Sequence, residues 1–306
     1  MSKLNNNLYT GFLNINKEAG FTSFDVVAKL RGILKQKKIG HTGTLDPEAV
    51  GVLPVALGRA TKAITLLEDH SKEYDACLLL GRETDTYDIW GKTISESSII
   101  PDNNTITRTI MSFTGDQMQI PPMYSAKKVN GKKLYELARE GIIIERKPSP
   151  IHISDIKILN IDGNRVDFHI NCSKGTYIRS LCHDIGEILG CGGCMCSLKR
   201  TRAGQFTLDT AHSLEEIEEL ISSDNGDGID SWILPIDSAF KDLPEIFVKE
   251  DSTKKAKNGN FLFESDVVKL EAEKNDKFRV YLEKNNFLGI YEKRGNKFYP
   301  RKVFIE

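Results

Sequence analysis

Gly40-His-Thr-Gly-Thr-Leu-Asp-Pro-Glu-Ala-Val-Gly-Val-Leu-Pro54 packs three glycines, two prolines, a histidine and two acids into fifteen residues. Glycine permits turns closed to other residues and proline fixes φ, so such a loop can hold a carboxylate rigidly at a surface. The pattern G-x-x-x-x-G-K-[ST] is absent, and Gly40-His-Thr-Gly43 is not followed by lysine, so this is not a phosphate-cradling nucleotide loop. On pattern alone, Asp46 is either a turn-former in a structural connector or a carboxylate presented for chemistry.

Upstream of this loop, Gly11-Phe-Leu-Asn-Ile-Asn16 alternates as a short strand, and Ser23 before Asp25 to Leu34 reads as the cap of an amphipathic helix. Downstream, residues 73–80 read as a strand, and Leu181 to Leu189 as a helix reached from Gly175-Thr-Tyr-Ile-Arg179. Strand and helix signals mix without a βαβ rhythm, which predicts α+β with a mixed, mainly antiparallel sheet flanked by helices. Leu214 to Ile221 is an acidic helix, followed by the turn-rich Ser222-Ser-Asp-Asn-Gly-Asp-Gly228. Beyond Pro244 the texture turns to strands: Phe278 to Leu282, Phe287 to Tyr291 and Lys302 to Ile305, with turns at Asn285-Asn286 and Arg294-Gly-Asn296. The expected division is 1–234 and a small β-rich module over 235–306.

The 306 residues are 40% hydrophobic and 28% charged, which is ordinary globular composition. No apolar run is long enough to span a bilayer, and MSKLNNNLYT lacks a signal-peptide core, so the expectation is a cytoplasmic protein without a membrane partner. The net charge of −1 alone argues against a polyanion, but its distribution does not. Residues 205–251 carry a net −11 and mask +3 over 1–70, +4 over 121–150, +3 over 172–204 and +5 over 252–306. The basic stretches are either solvated faces or contacts to a polyanion.

Six cysteines in a chain expected in the cytosol do not predict a disulfide framework. Cys191-Gly-Gly-Cys-Met-Cys196, with Cys182 and His183 nearby, raises a zinc site, but structural zinc ordinarily draws a second ligand pair from a separate segment. The favoured reading is a run of small buried residues at a helix end, with no metal. Pro121 to Arg139 interleaves Tyr124 and Tyr135 with Lys127, Lys128, Lys132 and Lys133, the mixture that neutralises phosphates and stacks on bases. Tyr177 and Arg179 stand two apart, which on a strand would point both to one face and into one pocket.

Taken in order, these segments resemble the motif series of bacterial TruB-type tRNA pseudouridine synthases. They are Lys17 to Ser23, Gly40 to Pro47, Lys72-Glu-Tyr74, Gly81 to Asp88, Pro121 to Gly141 and Ser173 to Arg179. The resemblance covers about residues 11–204 and continues more loosely to the end, where Leu243 to Val248 is similar to the start of a PUA-like RNA-binding module. It implies isomerisation of uridine 55 in the tRNA T loop, with Asp46 as the catalytic carboxylate, no metal and no organic cofactor. It also implies that Arg179 pairs with Asp46, an arrangement that favours the ionised acid. By the same resemblance Tyr74 stacks on the flipped uracil, its hydroxyl assisting proton removal from C5, and His41 contacts the T loop where the base has left. Lys17 and Tyr177 fall near the site, and Leu198 lines the uracil pocket. Residues 123–147 resemble a lobe that closes over the T arm through Lys127, Lys128, Lys132 and Lys133.

Departures from the family pattern are Val50 where Thr or Ser is common, Trp90, Lys199, Gln205 and the Gly190–Cys196 run. A non-catalytic RNA-binding protein would need the basic and aromatic surface but not Asp46, Tyr74 and Arg179 together. Base flipping disrupts and re-forms the tRNA elbow, so assistance to tRNA folding is expected beside catalysis. A guide-RNA-dependent synthase shares the catalytic motifs, but the Pro121–Gly141 lobe and the lack of lysine-rich tails favour a stand-alone monomer. A metal hydrolase built on His41, Asp46 and the cysteines is the remaining alternative, separable by activity in excess chelator.

Overall fold

The computed structural model describes residues 9–67, 71–129, 131–223, 228–268, 276–282 and 286–304. The chain runs through β1 (Gly11–Lys17), α1 (Ser23–Ile33), β2 (Ile39–His41), β3 (Val50–Leu57), α2 (Ile64–Leu67), β4 (Lys72–Leu80), β5 (Arg82–Thr84), β6 (Thr93–Glu96) and α3 (Asn103–Met111). It continues through β7 (Gly115–Gln119), β8 (Lys128–Val129), β9 (Lys132–Lys133), α4 (Leu134–Arg139), β10 (Ser149–Asp162), β11 (Arg165–Cys172) and α5 (Ile178–Leu189). Then come β12 (Gly193–Ala203), β13 (Phe206–Thr207), α6 (Leu214–Ser223) and β14 (Ile233–Leu234). The last part holds β15 (Glu245–Val248), α7 (Thr253–Lys257), β16 (Leu262–Phe263), β17 (Val267–Val268), β18 (Lys277–Tyr281), β19 (Phe287–Arg294) and β20 (Lys297–Val303).

The large sheet has the order β14-β1-β3-β12-β4-β11-β10-β7, with β2 on β3 and β13 on β12. All its pairs are antiparallel except β12 with β3, so the sheet is mixed and mainly antiparallel, and the fold is α+β. One buried cluster joins α1, α3, α5 and α6 to one face through Leu13, Val26, Leu30, Leu78, Ile106, Phe168, Leu181, Ile185 and Ile217. The second sheet, β16-β20-β19-β18-β15-β17, forms the β-rich C-terminal module around Val248, Leu262, Phe278, Val280 and Tyr291. It docks on the first through Phe12, Val52, Phe206, Phe240, Ile290 and Phe304. The Asn285 turn and most of the 222–228 break lie outside the described residues.

Three local expectations are corrected. The cap of α1 is Thr22, not Ser23: the Thr22 hydroxyl accepts from the Asp25 amide, and the Asp25 carboxylate accepts from the Thr22 amide in return. Tyr177 and Arg179 do not share a strand face. The αL turn at Gly175 (φ 76°) starts a helix, with Tyr177 at its cap position and Arg179 in its first turn. Cys77 and Cys196, with Cα atoms 5.3 Å apart, form one disulfide across β4 and β12, where an irregular register between Met195 and Ser197 sets Cys196 beside Cys77.

The remaining cysteines of the Cys-rich region are buried thiols, and burial pushes Cys194 up to about 11. Among the described residues, three metal-ligand side chains come together at His183, Asp184 and Glu187, a group that contains no cysteine. The small residues instead allow a close crossing of α5 and β12, where a Cβ on Gly186 would lie 2.1 Å from the Gly193 nitrogen.

Candidate active site

The Gly40–Pro54 loop is held from several sides. The Lys17 ammonium is 1% exposed and donates to the carbonyls of Glu18 (2.8 Å), Phe21 (2.7 Å) and Pro47 (2.8 Å). All three of its N–H bonds are used, so it fastens the loop from beneath. Ser23, freed from capping, accepts from the Leu45 amide at 2.8 Å and donates to the Leu45 carbonyl at 3.2 Å. The Gly20 amide donates to Pro47 at 3.1 Å, and the Ala49 amide to Asp46 at 3.1 Å. Residues on both sides of Asp46 are therefore tied to β1, to α1 or to the loop itself, which restricts where its carboxylate can point.

That carboxylate meets Arg179 side-on, with Nε to Oδ2 at 2.8 Å and Nη2 to Oδ1 at 3.0 Å. The Arg179 side chain is 6% exposed and that of Asp46 37%, so the cation is sealed while the acid remains accessible. A bidentate fork fixes both position and plane. Arg179 also donates to the carbonyls of Tyr124 (2.8 Å) and Thr86 (3.2 Å), and lies 3.6 Å from Asp88. Burial raises the Asp88 pKa while its bond from Thr86 and the Arg179 charge pull it down. Asp88 sits on a turn stitched to β12 by Met195–Tyr87 and Ile89–Met195 amide bonds, with Tyr87 at φ 64°.

Tyr74 on β4 is 7% exposed and lies directly opposite Arg200 on β12, while Ala76 lies opposite Leu198. The parity of β12 thus puts Leu198 and Arg200 on the face that carries Tyr74. Burial raises the Tyr74 pKa, and the Arg200 charge acts against that. Asp46 contributes to the field at Tyr74, Lys17, Tyr177 and Asp88, which places these groups around one site. Burial brings the Lys17 pKa down to about 8, partly countered by Glu48 and Asp46. The Tyr177 amide donates to Gln119 Oε1 at 2.8 Å and its carbonyl accepts from Gln119 Nε2 at 3.0 Å, which locks the start of α5. His41, half-buried on β2, has its pKa lowered by burial and by Arg200.

Residues 123–144 form a small lobe around Met123, Leu134 and Leu137. Its lysines differ. Lys127 donates to Ser149 at 2.5 Å, and Lys133 lies 5.3 Å from the Tyr135 ring centroid. Lys128 and Lys132 are exposed on the β8–β9 hairpin without a side-chain partner among the described residues.

Arg200 and Asp88 were not singled out from the sequence, and Ser23 was read only as a helix cap. Asp88 stood inside a quoted motif without a role. An arginine on an alternating strand at the same parity as Leu198 was the available signal for Arg200.

Residues 31–178 match the profile described as "TruB family pseudouridylate synthase (N terminal domain)". Residues 179–241 match "tRNA pseudouridylate synthase B C-terminal domain". The chain belongs to the TruB family. It is 48% identical to the tRNA pseudouridine synthase B of Lachnoclostridium phytofermentans, covering 96% of this chain and 99% of that one. With the protein of the same name from Clostridium kluyveri the identity is 45%, covering 96% and 99%. Among solved structures it is similar to a Cbf5-Nop10-Gar1 complex chain, with TM-score 0.77 and 28% identity over 97% of this chain and 85% of that one.

Proposed function

We propose that this chain is a stand-alone tRNA pseudouridine synthase that isomerises uridine 55 of the T loop, with Asp46 as the catalytic carboxylate. The observation that carries the reading is the side-on Asp46–Arg179 pair, with the acid accessible and Tyr74 beside it. The reaction breaks N1–C1′, turns the uracil and joins C5 to C1′ without gain or loss of atoms, so one ionised carboxylate and a proton acceptor suffice chemically. Flipping the uridine out of its stack costs a few kcal/mol. Tyr74 stacks on the flipped ring against Leu198, and His41 meets the T loop. Lys17 acts through the loop it fastens, and Tyr177 through the start of α5. The near-complete coverage of relatives named tRNA pseudouridine synthase B supports tRNA as substrate over a guide-directed RNA. Residues 1–234 carry the chemistry, 235–306 bind RNA, and the 123–147 lobe closes over the T arm.

The test is incubation of the purified chain, with chelator and no other protein, with an unmodified tRNA transcript, mapping pseudouridine for the native chain and Asp46→Asn. Conversion of the T-loop uridine by the native chain alone, with equal tRNA binding by both, is the expected result. Conversion by Asp46→Asn, or a requirement for a guide RNA, would overturn it.

A further inference from the structure

Arg200 is 1% exposed and leads the large side chains that are fully enclosed. Its Nε donates to the Val52 carbonyl at 2.6 Å and its Nη2 to the Gly43 carbonyl at 3.2 Å. Among the described residues no carboxylate lies within ion-pair distance of it. Enclosing a guanidinium without a counter-anion costs several kcal/mol, only partly offset by carbonyl dipoles. The acidic side chain it does meet is Tyr74, its direct cross-strand neighbour, whose ionised form the Arg200 charge favours. Gly51 permits the crowding, since a Cβ there would lie 2.3 Å from the Arg200 carbonyl oxygen. The other charged or titratable groups around this pair are Asp46 and Cys172 near Tyr74, and Lys17 and His41 near Arg200.

Resting on the synthase reading above, we propose that Arg200 is a positioning residue for the Tyr74 hydroxyl, aiming that oxygen at the flipped base and supplying the positive charge it needs when it takes the proton from C5. After C5 joins C1′, C5 still bears its hydrogen. The proton passes to the Tyr74 oxygen, which reacts as phenolate. The C5–H electron pair becomes the C5=C6 double bond, the N1=C6 pair moves to N1, and N1 takes a proton from solvent. Tyr74 returns its proton to solvent, and the exchange is neutral overall. A phenolate next to Arg200 completes the ion pair that the resting site lacks, so the enclosed cation interacts most strongly in the step that needs it.

The test uses the full chain and tRNA transcripts carrying hydrogen or deuterium at C5 of the target uridine. Arg200→Met is expected to lower kcat on the order of 10²-fold with KM for tRNA unchanged. It should also move the alkaline rise of kcat to higher pH and enlarge the C5 isotope effect. In a Tyr74→Phe background the same substitution should change nothing further. Arg200→Lys, which keeps the charge, should recover part of the rate. An equal loss in both backgrounds with an unaltered isotope effect would reduce Arg200 to a structural residue and overturn the inference. Should Arg200→Met fail to fold, 3-fluorotyrosine at position 74 of the otherwise native chain decides. Its more acidic phenol must shift the alkaline rise to lower pH, and no shift overturns the inference. If the native chain forms no pseudouridine at all, the synthase reading fails and takes this inference with it. Normal product formation with kcat independent of Arg200 sinks the inference alone.

Discussion

The floor of the site and the lobe beside it use the same residue types for opposite purposes. On the floor, Lys17 is enclosed and spends its ammonium on three backbone carbonyls, and Arg179 divides its guanidinium between Asp46 and two carbonyls. In the lobe, Lys128 and Lys132 stand in water with their charge unspent. An enclosed cation orders its surroundings because leaving it unsatisfied is costly, whereas an exposed one contributes mainly long-range attraction that salt screens. Charge summed along the chain cannot separate the two. The +3 over residues 172–204 includes Arg179 and Arg200, which an RNA approaching the surface scarcely meets.

The contrast is broken most sharply at Arg179. Arg179→Met leaves Asp46 unpaired and Asp88 half-buried without its cation, and turnover should fall on the order of 10³-fold while tRNA affinity stays near native. Equal losses in kcat and affinity would make Arg179 an RNA contact instead.

Lys17→Met should destabilise the chain by about 2 to 4 kcal/mol in urea titrations, by orphaning three carbonyls, and loosen the Asp46 loop. The sign of the pH effect follows from a folded pKa of about 8 against 10.5 unfolded. Between those values the unfolded chain holds the extra proton, so the Lys17 contribution to stability is lowest below pH 8 and rises toward pH 10.5. The native chain should gain on Lys17→Met over that window. A constant difference between the two would show that Lys17 keeps its ordinary pKa.

In the lobe, replacing Lys128 and Lys132 together by Ala should reduce the salt slope of tRNA binding by about 1 to 2, with single-turnover chemistry at saturation unchanged. The Lys127, Lys133 pair, already engaged within the protein, should reduce it less. The reverse order would refute the distinction drawn between them. Smallest is Ser23→Ala, expected to cost about 1 kcal/mol and a severalfold loss in kcat through the freed Leu45 amide, checked by denaturation and turnover together. Loss of stability without loss of rate would show that the Leu45 anchor does not orient Asp46.

Much of this was legible beforehand. Period-two alternation located β1, β18 and β19, residues 73–80 read as the strand β4, and the motif resemblance led to Asp46, Tyr74 and Arg179, which the fold brings together from a loop, a strand and a helix start. What escaped depended on register and burial. That Arg200 lies opposite Tyr74 is a matter of which residue of β12 faces which residue of β4, and alternation gives parity without register. Ser23 looked like a cap because Ser is the better N-cap of the two neighbours, and only the adjoining loop decides which of Thr22 and Ser23 is spared for Leu45. The helical start at Tyr177 follows from the left-handed turn at Gly175, which the spacing of Tyr177 and Arg179 does not reveal. The Cys77–Cys196 bridge likewise depends on a bulge in β12.

The backbone crossing of Gly186 with Gly193 has a genetic consequence. It lies seven residues along α5 from Arg179, roughly 10 Å at the helical rise, and sets how deeply the helix seats on the sheet. An allele encoding alanine at 186 would lift the far end of that rod and tilt the near one. Its carrier would harbour a chain with Asp46 and Arg179 both present but the helix that carries Arg179 displaced, a defect that a catalogue of substitutions at the candidate site would never sample.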